Sequence, residues 1–154
     1  MPEARKFLIR RAVPSDQREV ESIVEAAYSV YLPRTDKKPF PMLDDYARHI
    51  RGGNLFVLEE EGEVLGYAVL LDGGPGTLLL DNIGVRPDCQ GKGLGAALIA
   101  FAEEQGRARG CSRMTLYTNA VMTENQTLYP HLGFRVTHRA EEDGYRRIYY
   151  EKNL

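Results

Sequence analysis

The stretch that most constrains the fold runs from Leu78 to Ala102 and reads LLLDNIGVRPDCQGKGLGAALIAFA. It begins with an apolar run typical of a β-strand and ends in an alanine- and leucine-rich segment that favours a helix. Pro87 prevents the strand from simply continuing, because proline fixes φ and has no N–H group. The sequence therefore predicts a strand, a tight glycine-rich loop and a helix in direct succession.

The loop between this strand and helix has the properties of an anion-binding site. Glycine has no Cβ, so the backbone at Gly91, Gly93 and Gly95 can approach a ligand closely. The first N–H groups of a helix lack partners within the helix, and the helix dipole makes this end positive. A phosphate or pyrophosphate is the ligand that such a loop favours.

Two common phosphate-binding motifs do not fit the loop. A Walker loop requires Ser or Thr after Gly-Lys, whereas Lys92 is followed by Gly93. Gly91, Gly93 and Ala96 match the dinucleotide fingerprint G-x-G-x-x-A, but that fingerprint needs an acidic residue at the end of the next strand, which ends at Asn119. A nucleotide-binding regulatory domain is therefore kept only as a third alternative.

A different motif fits the whole loop. Residues 90–95, QGKGLG, match Q/R-x-x-G-x-G/A, and residues 125–134 carry a second motif that ends in Tyr129-x-x-Leu-Gly-Phe. Together and in this order the motifs resemble those of the GNAT N-acetyltransferases. Met122 occupies the usual asparagine position of the second motif, and Asn125 lies one helical turn closer to Tyr129. This departure leaves open whether Met122 or Asn125 contacts the cofactor.

Hydrophobic periodicity and turn residues predict the element order βααβββαβαββ. The second helix is predicted from Met42 to Ile50. The two predicted strands on either side of the glycine-loop helix form a βαβ unit and should be parallel. The resemblance, which covers nearly the whole chain, implies a single-domain α/β fold over residues 1–154. Its central sheet would be mixed and mostly antiparallel, with parallel fourth and fifth strands that splay apart.

The composition of the chain limits the classes of partner that it is expected to bind. The formal net charge is -2, with 43% hydrophobic and 27% charged residues, a mixture typical of soluble globular proteins that gives no electrostatic case for nucleic-acid binding. The opening segment MPEARKF has no apolar run typical of a signal peptide, and the most apolar stretch, Ala96 to Ala102, is too short to span a bilayer. Cys89 and Cys111 form no disulfide framework. We expect a cytoplasmic protein with no membrane partner.

The resemblance implies acetyl-CoA as the cofactor and assigns the glycine loop to its pyrophosphate. By position, the N–H of Ile83 would face the acetyl carbonyl and Val85 would pair with the pantetheine arm. Gly84 between them suits a β-bulge, although an ordinary strand glycine is the alternative. Asn125 and Tyr129 would also contact the cofactor. The loop residues assigned to it are Gln90, Gly91, Lys92, Gly93, Leu94, Gly95 and Ala96.

By the same resemblance, Tyr129 is the acid that protonates the departing thiolate, while a core tyrosine is the alternative. A free phenol titrates near ~10 and holds its proton at neutral pH. The general base is open between Asp81, Glu124 and ordered water. Strand alternation predicts that Asp81 shares a face with Ile83 and Val85. No metal is expected, because the histidines lack ligand spacing: His49, His131 and His138.

The segment from Tyr28 to Tyr46 lies, by the resemblance, over the acceptor end of the cleft. Its aromatic and apolar side chains would form a substrate-binding wall of Tyr28, Tyr31, Phe40, Met42 and Tyr46. The function expected is acetyl-CoA-dependent acetylation of a primary amine on a small molecule, an amino acid or a protein. The alternative is a non-catalytic acyl-CoA-binding module with the same fold. A homodimer is left open.

Overall fold

The computed structural model describes residues 6–154. Residues 1–5, most of the opening segment MPEARKF, lie outside the described residues. The strands are β1 (Leu8–Arg11), β2 (Leu55–Glu60), β3 (Glu63–Asp72), β4 (Thr77–Val85), β5 (Arg113–Asn119), β6 (Arg135–Glu142) and β7 (Tyr145–Asn153). The helices are α1 (Gln17–Tyr28), α2 (Tyr46–Arg51), α3 (Leu94–Ala108) and α4 (Asn125–His131). None of these helices has the length and apolarity needed to cross a bilayer.

The strands form one mixed sheet in the order β1-β2-β3-β4-β5-β7-β6. Strands β4 and β5 run parallel, because α3 returns the chain to the same end of the sheet, and the other neighbouring pairs run antiparallel. The predicted element order and the predicted parallel pair are both confirmed.

The parallel pair separates along its length. Pairing between β4 and β5 starts at Thr77 with Arg113 and ends at Leu80 with Leu116. Both strands continue beyond this point, to Val85 and Asn119, but they no longer pair with each other. The splayed strands expected from the resemblance are therefore present, and they leave a gap in the middle of the sheet.

A β-bulge in β4 lies at the start of this gap. Val69 of β3 pairs with Asn82 and the next residue, Leu70, pairs with Leu80, so Asp81 is the extra residue. One added residue reverses the alternation of side chains beyond it. The bulge therefore lies at Asp81 and not at Gly84, where the sequence favoured it.

Helices cover both faces of the sheet. Helix α3 packs on one face, hereafter the α3 face, beside Leu78 and Leu80. Helices α1 and α2 pack on the other, the α1 face, and the buried side chains there include Val20, Ile23, Val24, Ile50, Leu55, Val57, Tyr67 and Val69. Ile83 and Val85 pack towards the α3 face, whereas Asp81 contacts groups on the α1 face. The prediction that Asp81 shares a face with Ile83 and Val85 is wrong, because the bulge intervenes.

The segment between α1 and β2 departs from the predicted helix at Met42 to Ile50. Phe40–Met42 forms one 3-10 turn, and α2 begins only at Tyr46. The side chain of Asp45 accepts a hydrogen bond from the backbone N–H of Arg48 at 3.1 Å. This N-cap fixes the start of α2 because it satisfies a donor that the helix cannot pair internally.

Candidate active site

The glycine loop presents a run of free backbone donors. Gly91 and Gly93 both adopt φ of +80°, a conformation that favours glycine, and a Cβ on either would meet no atom within 4 Å. Within residues 6–154, no group accepts a hydrogen bond from the backbone N–H groups of residues 91–96. These N–H groups lie at the N-terminus of α3, which suits them to an anion with several oxygen atoms.

A cleft opens beside this loop and encloses about 450 Å³. We call it the loop cleft. Its walls come from the end of β4, the first turns of α3 and α4, and the end of α1. Of the predicted loop residues, Gln90, Gly91, Gly93, Leu94, Gly95 and Ala96 line it. The side chain of Lys92 is exposed and does not line the cleft.

A second, narrower cavity of about 60 Å³ lies in the gap between β4 and β5. We call it the inner cavity. The bulged part of β4, the end of β5 and the start of β7 line it, together with Phe40 and its neighbouring prolines. The two cavities meet, because the same residues line both: Tyr28, Ile83, Met122, Asn125 and Tyr129. Met122 and Asn125, between which the sequence left a choice, therefore both reach the junction.

Tyr129 of α4 lies at this junction, 5% exposed. Its ring packs against Phe134 and Tyr150, with centroid distances of 5.7 and 5.5 Å. Its hydroxyl makes no hydrogen bond to any group in the described part of the chain. Burial raises the pKa of Tyr129 above the ordinary phenol value, so the hydroxyl holds its proton throughout the neutral range.

The backbone carbonyls of Ile83 and Val85 point away from β3. The carbonyl of Ile83 accepts a hydrogen bond from the Tyr28 hydroxyl at 3.0 Å, and that of Val85 accepts one from Gln90 Nε2 at 3.3 Å. In a β-strand the N–H and C=O of one residue point to the same side. The N–H of Ile83 therefore points towards the junction as well.

Gly84 is needed for packing. It pairs with Tyr67 of β3 in regular register, and a Cβ at Gly84 would lie 2.5 Å from Cε1 of the Tyr67 ring. The ring of Tyr67 thus lies directly against the backbone of β4. Gly84 is therefore an ordinary strand glycine, the alternative to a β-bulge that the sequence left open.

Asn82 organises a buried polar network that sequence analysis did not find. Its Oδ1 accepts a hydrogen bond from the Tyr67 hydroxyl at 2.9 Å and lies 3.2 Å from the Tyr28 hydroxyl. Its Nδ2 donates to the Tyr46 hydroxyl, which in turn donates to the carbonyl of Pro41. The four side chains fix β4 against α1 and α2 beside the junction.

The expected acceptor wall is only partly assembled. Tyr28 and Phe40 line the inner cavity, and Tyr31 lines the loop cleft instead. Tyr46, at 3% exposure, belongs to the Asn82 network, and Met42 packs against the core of the α1 face. Met42 and Tyr46 therefore do not contact either cavity.

Asp81 enters the inner cavity from the bulge. Its Oδ1 accepts a hydrogen bond from the Tyr117 hydroxyl at 3.4 Å. Carboxylate and imidazole atoms of Asp81, Asp44 and His49 lie within 4.8 Å of one another, and Asp44 and His49 form a pair at 2.8 Å. Burial, and next the nearby Asp44 carboxylate, raise the pKa of Asp81 above the usual carboxyl range.

Glu124, another candidate base, lies elsewhere. It forms an ion pair with Arg34 at 2.8 Å, with its side chain 55% exposed, and it lines the loop cleft but not the inner cavity. The inner cavity instead contains Tyr117, Tyr145 and Arg147, which sequence analysis missed. Two of these residues were accessible to sequence analysis. Side chains alternate between the two faces of a strand, so in residues 145–151, YRRIYYE, Tyr145 and Arg147 lie on the face opposite the core residue Ile148.

The sheet, its gap and the glycine loop define an α/β protein with an anion-suited loop beside two parted strands. Residues 19–134 match the acetyltransferase (GNAT) family. The chain belongs to this family.

Relatives agree with this assignment. Mycothiol acetyltransferase of Streptomyces avermitilis is 31% identical over 109 residues, which cover 69% of this chain and 32% of the relative. The chain therefore spans about a third of the length of this curated relative. The solved PaiA N-acetyltransferase of Thermoplasma acidophilum, in complex with coenzyme A, superposes with a TM-score of 0.81 at 15% identity, covering 97% of this chain and 99% of that one. The ribosomal-protein-S18-alanine N-acetyltransferase of Escherichia coli gives 0.76 at 22% identity, covering 97% and 94%.

Proposed function

We propose that this chain is an acetyl-CoA-dependent N-acetyltransferase that transfers the acetyl group directly to a primary amine. The observation that carries the proposal is the junction, where a cleft bordered by free N–H donors meets a second cavity beside the Tyr129 hydroxyl. One opening serves for a long anionic ligand and the other for its reaction partner.

The residues of the loop cleft fit coenzyme A. Free N–H groups of residues 91–96 match the oxygen atoms of a pyrophosphate, and the open space above Gly91 and Gly93 lets it approach the backbone. The edge of β4 at Ile83 and Val85 suits the amide-containing pantetheine arm. When bound, acetyl-CoA supplies the acetyl group as a thioester, whose C–S bond breaks as the N–C bond to the amine forms.

Three groups of the chain then have distinct roles. The N–H of Ile83 donates a hydrogen bond that stabilises negative charge on the acetyl oxygen. The carboxylate of Asp81 takes a proton from the amine, directly or through water, because it lines the inner cavity on the acceptor side. Tyr129 holds a proton at Oη and gives it to the leaving sulfur.

The alternative is an acyl-CoA-binding module that does not catalyse transfer. A direct test measures thermal stability with acetyl-CoA, coenzyme A and NAD, followed by thiol release with a panel of amines. A ligand at 100 times its dissociation constant adds about 2.7 kcal/mol, a rise of roughly 5–10 °C for a chain of this size. Both coenzyme A forms should stabilise the protein and NAD should not. Stabilisation with no thiol release for any amine would favour the module.

Gly95→Val tests the position of the coenzyme. Gly95 lines the loop cleft in a helical conformation, and its Cβ would meet only Val85 at 4.0 Å, so the substitution fits the free protein. We expect an unchanged or slightly higher melting temperature without ligand and at least a tenfold weaker affinity for coenzyme A. Ala100→Val, on the exposed side of the same helix, is the matched control and should bind normally. Normal binding by Gly95→Val would remove the coenzyme from this cleft.

A further inference from the structure

The inner cavity carries two opposite charges. Among the described residues that line it, only Asp81 and Arg147 are charged, and the rest are aromatic, apolar or neutral polar side chains. Arg147 acts on Asp81 electrostatically and favours its ionised form, although burial has the larger effect. Both groups also contact Tyr117, because Asp81 accepts a hydrogen bond from its hydroxyl at 3.4 Å and the guanidinium carbon of Arg147 lies 4.6 Å from its ring centroid. One small molecule can therefore contact both charges.

Arg147 is held in place by aromatic rings. Its guanidinium carbon lies 4.6 Å from the ring centroid of Tyr117 and 5.2 Å from that of Tyr145. Contacts of this kind use the face of a guanidinium, whereas its five N–H donors lie in the plane of the group. Its ion pair with Glu142 spans 3.7 Å, which is beyond hydrogen-bond distance, and its side chain is only 13% exposed. Such a group has donors left for a carboxylate, which it can bind in a bidentate fashion.

We infer, on the basis of the proposed function, that the acceptor is a free α-amino acid with an apolar or aromatic side chain. Its amine lies at Asp81, its carboxylate at Arg147, and its side chain against Phe40 and Tyr145. The ammonium group loses one proton to Asp81, and the neutral amine forms the N–C bond as the C–S bond breaks. The nitrogen then loses a second proton to water, and the departing thiolate takes its proton from Tyr129.

Protein acceptors fit these features less well. The residue at a protein N-terminus has its carboxyl group in a peptide bond, and a lysine amine is four methylene groups away from its own backbone. Either acceptor would leave the Arg147 guanidinium without a carboxylate at hydrogen-bond distance, since Glu142 lies 3.7 Å away.

The first experiment compares amino acids with their decarboxylated forms, using the full chain and thiol release from acetyl-CoA. The pairs are phenylalanine with phenethylamine, leucine with isoamylamine, and methionine with 3-(methylthio)propylamine. Each pair differs only in the carboxylate. We expect kcat/KM to be at least about tenfold higher for the amino acids, and most of the difference to lie in KM, because the carboxylate binds equally before and during transfer.

The second experiment replaces Arg147. Arg147→Gln should reduce the amino-acid to amine ratio at least tenfold, and Arg147→Lys should restore part of it because a positive charge returns. Arg146→Gln is the matched control, since Arg146 is exposed and lies on the other face of β7. Stabilisation by coenzyme A confirms that each variant is folded; should Arg147→Gln not fold, the Lys variant and the substrate pairs still decide.

Equal or faster transfer to the decarboxylated amines would overturn the amino-acid inference and leave the proposed function standing. Absence of transfer to every amino acid, with stabilisation by acetyl-CoA intact, would also overturn it. Absence of stabilisation by acetyl-CoA would instead overturn the proposed function itself. An unchanged ratio in Arg147→Gln would assign carboxylate recognition to another group.

Discussion

The hydroxyl of Tyr129 differs from the other tyrosine hydroxyls near the junction. Those of Tyr28, Tyr46 and Tyr67 are held by hydrogen bonds around Asn82, whereas that of Tyr129 has no partner within residues 6–154. Tyr129 borders both cavities, where a bound molecule can supply the missing hydrogen-bond partner. The structure of this residue thus favours a role towards a bound molecule.

Tyr129→Phe separates this role from packing. The ring contacts with Phe134 and Tyr150 remain and no internal hydrogen bond is lost, so we expect little change in melting temperature and in coenzyme A affinity. Transfer measured by thiol release should fall roughly tenfold or more, because the leaving sulfur loses its proton donor. Tyr150→Phe, in the same ring cluster but outside both cavities, is the control. Full activity in Tyr129→Phe would exclude this tyrosine as the acid.

Asp81 links stability to pH through its raised pKa. A carboxyl whose pKa is higher in the folded than in the unfolded chain binds more protons when folded between the two values. Stability contributed by this group is therefore greatest below the unfolded value, near ~3.9, and declines as pH rises through the folded value. Ionised Asp81, the form that the proposed reaction needs, is the form that the folded state disfavours.

Asp81→Asn should therefore make the protein more stable at neutral pH and less active. The stability gain, measured by urea unfolding, should disappear as pH falls towards ~4, where Asp81 itself is protonated. Transfer should slow by roughly a hundredfold, and the acid limb of the pH–rate profile should disappear. Near-normal transfer with the same acid limb would contradict a base role for Asp81 and favour ordered water.

At the scale of elements, the bulge lets β4 pack against the core of the α3 face before Asp81 and contact the α1 side after it. Before Asp81 its side chains build the core of the α3 face. After it, Asn82 and Gly84 face the α1 side, where the Tyr67 ring contacts the backbone of Gly84. The alternation turns Ile83 and Val85 to the α3 side, while their backbone edge faces the junction.

Gly84→Ala tests this contact. The new methyl group would lie 2.5 Å from the Tyr67 ring, so the strand or the ring must move, at a cost of about 1–3 kcal/mol in unfolding free energy. Denaturant unfolding of Gly84→Ala, Tyr67→Leu and the double variant gives the coupling between the two sites. We expect Gly84→Ala to be less destabilising in the Tyr67→Leu background. Equal effects in both backgrounds would show that the ring is not the obstacle.

At the scale of the whole molecule, the sequence predicts what depends on local pattern. Apolar periodicity and turn residues predict the element order, and the run of glycines before an alanine-rich segment predicts the loop and α3. The predicted start of α2 is four residues too early, because the residues around Met42 are apolar and suggest a helix. The actual start, at Tyr46, is set by the N-cap residue Asp45. The single domain over residues 1–154 stays a prediction.

The inner cavity could not be predicted in the same way. Asp81 joins Arg147 and Tyr117 only because a bulge changes the face of β4 and because β7 lies beside β5 in the sheet. A bulge of one residue leaves no clear mark in hydrophobic alternation, and the order of strands depends on contacts distant in sequence. Met42 and Tyr46 are assigned to the acceptor wall because the resemblance places their segment over the cleft and their side chains are apolar or aromatic, although packing directs them to the core.

The gap between β4 and β5 also has a consequence for how this protein can change over time. The loop cleft is built by the end of β4, α3 and α4, and β4 also contributes Asp81 to the inner cavity. Arg147 and the rings of Phe40, Tyr117 and Tyr145 come instead from β5, β7 and the segment before α2. Under the proposed function, substitutions in the second group alter the acceptor while the donor side stays intact. A gene encoding this chain could therefore diverge towards new acceptors in single steps, each passing through a functional protein.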